Sequence, residues 1–268
     1  MKSELTCFIV KYLLLTLYFN LLPILINMND IIRFLHILAF FPLAFLIAKL
    51  SGAGGMKSYG VVFVSGWKRN VGYGFTIGSI TWTVLFLFYI LFNKLHFQGV
   101  KFEGTSLVTL LIIIFGFGTG SLINDMITRG LVFYHFKDKI SVISLFFISI
   151  ILYSVDDIWY AGLSLQNCIF SVILGLSLTY ALYKTNSIWF TTGIHFGLNL
   201  IYGSFYGVSG SLGTGIFNVR ETTPYVGWLG WLSSVIAMVM FLIVMYVFNK
   251  NNKIVITDLS KFSSFGSR

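Results

Sequence analysis

Apolar runs of about 20 residues follow one another from residue 6 to residue 248, with no polar block of soluble-domain size between them. A hydrocarbon layer about 30 Å thick, crossed at about 1.5 Å per helical residue, gives each run the length of one crossing. The segments that meet this requirement, or nearly so, are 6–27, 31–50, 71–93, 106–136, 140–160, 166–183, 187–205 and 224–248. Helices must do the spanning, because lipid offers the backbone no hydrogen-bond partner and the sequence shows no barrel-type alternation. With 57% hydrophobic residues, 10% charged and a mean hydropathy of +0.87, the chain has more apolar surface than a soluble core can hide. The expected fold is therefore all-α, a polytopic integral membrane bundle of about eight transmembrane helices.

Residues 1–59 read as two N-terminal transmembrane helices and a connector, 60–248 as the membrane core, and 249–268 as a basic tail near anionic lipid. The opening "MKSELTCF" has the charged start of a signal peptide. No small-residue cleavage site follows and another span comes next, so residue 1 is expected to be retained. The glycine-rich stretch "GAGGMKSYG" lacks the spacing of a phosphate-binding loop and reads as a connector leading to an interfacial Trp67. The loop from Tyr206 to Tyr225 is glycine- and serine-rich and is expected to cover the top of a cavity.

Orientation follows from lysine and arginine. With the amino terminus inside, Lys2, Lys49, Lys57, Lys68, Arg69, Lys137, Lys139, Lys184, Lys250, Lys253, Lys261 and Arg268 share the cytoplasmic face. Arg33, Lys94, Lys101 and Arg220 fall on the other. Both termini are thus expected in the cytoplasm, and the net charge of +9 is a topology signature. No nucleic-acid-binding pattern is present. Cys7 and Cys168 lie in apolar runs without metal or redox spacing and read as packing residues. His36, His96 and His135 lie near span ends or in unrelated spans, and no HExxH occurs. No cofactor or metal is expected.

Polar residues inside the spans cluster in three places, and ionisable groups at membrane depth point to function. In "INDMITRG", Asp125 and Arg129 share one helical face, with Asn124 beside them and Thr128 a turn on. In "YSVDDIW", Asp156 and Asp157 point about 100° apart on a helix. In "SIWFTTGIHFGLNL", His195 and Asn199 stand one turn apart. Counted at about 1.5 Å per residue, the three clusters spread over about 13 Å of depth. Asp156, near the outer end of its helix, reads as solvated.

The order and spacing of these motifs resemble the CPBP family, the CAAX proteases and bacteriocin-processing enzymes, also called the Abi family. That family carries Glu-Glu-x-x-x-Arg on one membrane helix, Phe-x-x-x-His on the next and His-x-x-x-Asn on a later one. The third motif stands here as His195 and Asn199. The first keeps Arg129 and Gly130 but has Asn124 and Asp125 in place of the glutamates. The second has Tyr153 for phenylalanine and Asp157 for histidine. The resemblance covers roughly residues 60 to 245. It implies an intramembrane endopeptidase fold in which a glutamate activates water while histidine and asparagine assist or stabilise an oxyanion.

The departures bear on that chemistry. An amide at Asn124 cannot accept a proton from water. Asp125 is ionisable, but it is a methylene shorter than glutamate and within reach of Arg129. An anionic Asp157 would repel an oxyanion unless protonated. The leading expectation is a degenerate, non-catalytic or weakly catalytic pseudoenzyme of bacterial plasma membrane. It would bind, scaffold or regulate a membrane or cell-envelope protein, as the immunity and cell-wall-linked branches of the family suggest. An active intramembrane endopeptidase using Asp125 and His195 is the alternative, and a transporter the second. Convergence of Asp125, Asp157 and His195 would instead give a metal or acid/base set. The bland readings are a structural ion pair for Asp125 and Arg129 and interhelical bonding for His195 and Asn199.

Overall fold

A computed structural model describes residues 2–26, 28–222 and 227–250. The basic tail expected beyond the last helix lies, from residue 251 on, outside the described residues, as does the end of the loop reaching Tyr225.

Eight long helical stretches run through the described residues. α1 is Lys2–Thr16, continued by a π turn at Leu17–Leu21 and a last turn at Leu22–Ile26. α2 (Asp30–Leu50) and α3 (Trp67–Leu91) follow. α4 is Gly104–Asp125, a second π turn at Met126–Gly130, and Leu131–Phe136. Then come α5 (Val142–Ala161), α6 (Leu165–Thr185), α7 (Ile188–Tyr206) and α8 (Leu232–Lys250). Seven of these stretches are long and apolar enough to cross a membrane. The other is α7, where His195, Asn199 and several glycines dilute the apolar content, and much of this helix is buried by its neighbours.

Helix boundaries follow local chemistry. Ser141 and Ser164 accept hydrogen bonds from the backbone N–H groups of Ser144 and Asn167, capping α5 and α6. α6 ends at Asn186, whose left-handed φ of 49° stops the helix. The π turn of α1 precedes Pro23, which has no N–H to give to the turn before it.

The chain is not wholly helical. β1 (Leu95–Val100) and β2 (Phe217–Glu221) form a two-stranded antiparallel sheet with an irregularity between Phe97 and Gly99. Lys101 Nζ donates to the carbonyls of Gly213 and Gly215 at 2.5 and 3.0 Å, tying the long loop to this sheet. The connector after α2 is also folded: Tyr59 is fully buried and its hydroxyl donates to the Ala44 carbonyl at 2.9 Å.

Two hydrophobic cores result. One gathers Trp82, Leu178, Phe190 and Met240 from α3, α6, α7 and α8. The other gathers Phe8, Phe40, Tyr59, Met126 and Leu145 around α1, α2, α4 and α5. α3 and α7 bring two glycine pairs together, Gly74 and Gly78 against Gly193 and Gly197. A Cβ on Gly78 would lie 2.1 Å from the Ile194 carbonyl oxygen, and one on Gly193 would lie 2.4 Å from that of Val71. Only glycine admits such backbone contact, the small-residue packing of membrane helices. His195 stands between the two glycines of α7 in sequence, on the opposite side of that helix.

Candidate functional site

The three polar clusters meet where α4, α5 and α7 join between the two cores. Asp125 is fully buried at the end of the regular part of α4. Arg129, also fully buried, donates from Nη1 to Asp125 Oδ1. Thr192 Oγ1 donates to Asp125 Oδ2 at 2.9 Å, and His195 Nδ1 lies 3.3 Å from Asp125 Oδ1. One carboxylate thus gathers a guanidinium, a hydroxyl and an imidazole. With the carboxylate as acceptor, Nδ1 is the donor in this contact. The Tyr153 ring covers the guanidinium, its centroid 4.5 Å from Arg129 Cζ, and meets the His195 ring edge-on at 5.8 Å.

A second carboxylate lies beside the first. Asp156 is 1% exposed, so its expected solvation is corrected: it faces α4 and α1 rather than water or headgroups. Asn124 Nδ2 donates to its Oδ2, and Asn20 Nδ2 donates to its Oδ1 at 2.6 Å. The two adjacent aspartates split because of their 100° offset. Asp157 turns to α6 and accepts a hydrogen bond from Ser171 Oγ. Asn199 Nδ2 donates to Ser121 Oγ at 3.1 Å.

Asn124, Asp125, Arg129 and His195 therefore come together, while the hydrogen bonds of Asp157 and Asn199 go to other partners. The expected 13 Å spread in depth counts each helix as straight, whereas the side chains of all three clusters meet. Met126–Gly130 puts an extra residue into one turn, an arrangement frequent at functional sites. Asn124 Oδ1 and Arg129 Nε and Nη2 are buried without a hydrogen-bond partner. The metal set of Asp125, Asp157 and His195 is not formed: among the described residues no three His, Cys, Asp or Glu side chains group so as to hold a metal ion.

Sequence reasoning missed Asn20 and Thr192. Thr192 had a signal, lying three residues before His195 on the same helix face. Asn20 had only its polarity, since a π turn leaves no mark in a hydropathy pattern. Of the other histidines, His135 is buried with its Nε2 3.4 Å from Lys11 Nζ, and His36 stacks on Tyr18 at 4.3 Å. Cys7 and Cys168 are free and half-buried.

No curated protein and no solved structure matches the chain. A family model does match, and its segment contains every residue of the site except Asn20. Residues 105–201 match the Rce1-like model of the CPBP family, type II CAAX prenyl endopeptidase, so this segment is similar to that family of membrane proteases.

Proposed function

We propose that the protein binds a membrane-embedded or cell-envelope protein through an inherited protease site that holds its ligand without hydrolysing it. The observation that carries this reading is the position of Asn124. An amide stands where the family places its first glutamate, and it donates to Asp156 rather than accepting a proton from water. The remaining carboxylates have partners as well: Asp125 with Arg129, Thr192 and His195, Asp156 with two amides, and Asp157 with Ser171.

One observation favours a second reading, an active endopeptidase. Asp125 against His195 Nδ1 is the pairing that orients an imidazole so that Nε2 takes a proton from a nucleophile. That mechanism would move the base from the first glutamate position to His195.

Cleavage separates the two. In liposomes containing a membrane-peptide library, the unaltered protein is expected to give no turnover above that of His195→Ala. Restored turnover in Asn124→Glu with Asp157→His would support the inherited-site account. Turnover by the unaltered protein that is lost in both Asp125→Ala and His195→Ala would overturn the binding reading in favour of the second.

A further inference from the structure

The connector between α2 and α3 presents a surface that the polar seam does not use. It lies at one membrane face, since α2 ends at Leu50 and α3 begins at Trp67. Phe63, Trp67 and Trp189 form a triangle of rings there, each pair of centroids 5.0 Å apart. Phe63 is 64% exposed, which leaves the triangle open at the level where tryptophan sits among lipid headgroups. The patch is preformed. Trp189 Nε1 and Ser187 Oγ both donate to the Val62 carbonyl, at 3.0 and 2.9 Å, and the Ile188 N–H donates to the Gly60 carbonyl at 3.1 Å. A surface held in place before binding costs less ordering than one that must first be assembled.

The charge around the rings has one sign. No acidic residue occurs between Asp30 and Glu103, whereas Lys49, Lys57, Lys68 and Arg69 all fall at this face and are exposed. Among the described residues neither Lys49 nor Lys68 forms an ion pair. Each ammonium lies over a ring instead, 5.2 Å from the centroid of Phe45 and 5.8 Å from that of Trp67. We propose that this patch binds the headgroup of an anionic phospholipid, its phosphate beside Lys68 and Arg69 and the upper part of its acyl chains against Phe63 and Trp67. Such a lipid supplies both halves of what the patch lacks, a negative charge for the cations and apolar surface for the open rings. A soluble anion has nothing to lay on Phe63, and a zwitterionic lipid brings its own positive charge to the cations. The site stands apart from the seam, so it holds whether or not the seam cleaves.

The test uses the full chain in phosphatidylcholine bilayers carrying a trace of photoreactive phosphatidylglycerol or photoreactive phosphatidylcholine, the reactive group near the headgroup, with labelled peptides mapped by mass spectrometry. The segment holding Phe63 and Trp67 is expected to take more label from phosphatidylglycerol than from phosphatidylcholine. Lys68→Gln should lower the phosphatidylglycerol label about fivefold, the effect of one cation near an anionic surface, and leave the phosphatidylcholine label unchanged. Lys68→Arg should keep the preference, which separates loss of charge from loss of fold, and Lys94→Gln, near the other end of α3, should not alter it. Equal labelling by the two lipids, or a preference that survives Lys68→Gln combined with Arg69→Gln, would overturn the proposal. Displacement of the lipid label by excess inorganic phosphate at constant ionic strength would overturn the lipid assignment in favour of a soluble anion.

Discussion

At Asp125 and Arg129 the chain places two full charges in a region where either alone would be expensive. Each has no exposed surface, and the ion pair spans one helical turn. Removing one partner leaves the other buried and uncompensated, a cost of about 3–5 kcal/mol. Asp125→Ala is therefore expected to lower the unfolding temperature in detergent markedly. Asp125→Leu combined with Arg129→Met should cost less than either single change, because no charge is left behind. Thermal unfolding of the three variants checks this, and a double variant as unstable as the sum of the singles would mean that the pair is not what holds the two charges. Asp156 follows the same logic with weaker partners. Two amides stand in for a counter-ion, and losing both through Asn20→Leu and Asn124→Leu should destabilise the chain more than losing either.

Among the elements, α3 and α7 pack backbone against backbone through their glycines. Gly74 lies where a Cβ would be 2.2 Å from the Phe190 carbonyl oxygen, a backbone atom that cannot yield alone. Gly74→Ala is expected to force the two helices apart and to weaken the bundle. Gly72→Ala, with nothing within 4 Å of its Cβ, should be neutral or stabilise by up to about 1 kcal/mol through helix propensity. Unfolding midpoints of both variants measure the contrast, and equal effects would contradict the close packing. The helices themselves were legible from 20-residue apolar runs, and the ends of α2, α4 and α6 fall within a few residues of those runs. The β1–β2 pair was not, because both strands are short and the irregularity at Gly99 breaks their alternation. Within the site, Asp125 with Arg129 was readable from i, i+4 spacing. Asp156 was misjudged because periodicity gives a direction around its own helix and says nothing of which neighbour stands there.

At the scale of the whole molecule, the bundle is two apolar cores meeting at one polar seam, and the seam is closed from within. α4 supplies Asn124, Asp125 and Arg129, α5 supplies Asp156 and Tyr153, α7 supplies Thr192 and His195, and α1 adds Asn20 from outside the family segment. Here the acids of the seam are met by side chains of the same chain, which is the central claim. It is tested most directly by solid-state NMR of the full chain in bilayers, measuring the contact between asparagine side-chain ¹⁵N and aspartate ¹³Cγ. The account predicts a contact of hydrogen-bond range, under about 4 Å between these nuclei, that disappears in Asn20→Leu combined with Asn124→Leu. Absence of that contact in the unaltered protein, with Asp156 open to water by deuterium exchange, would contradict it.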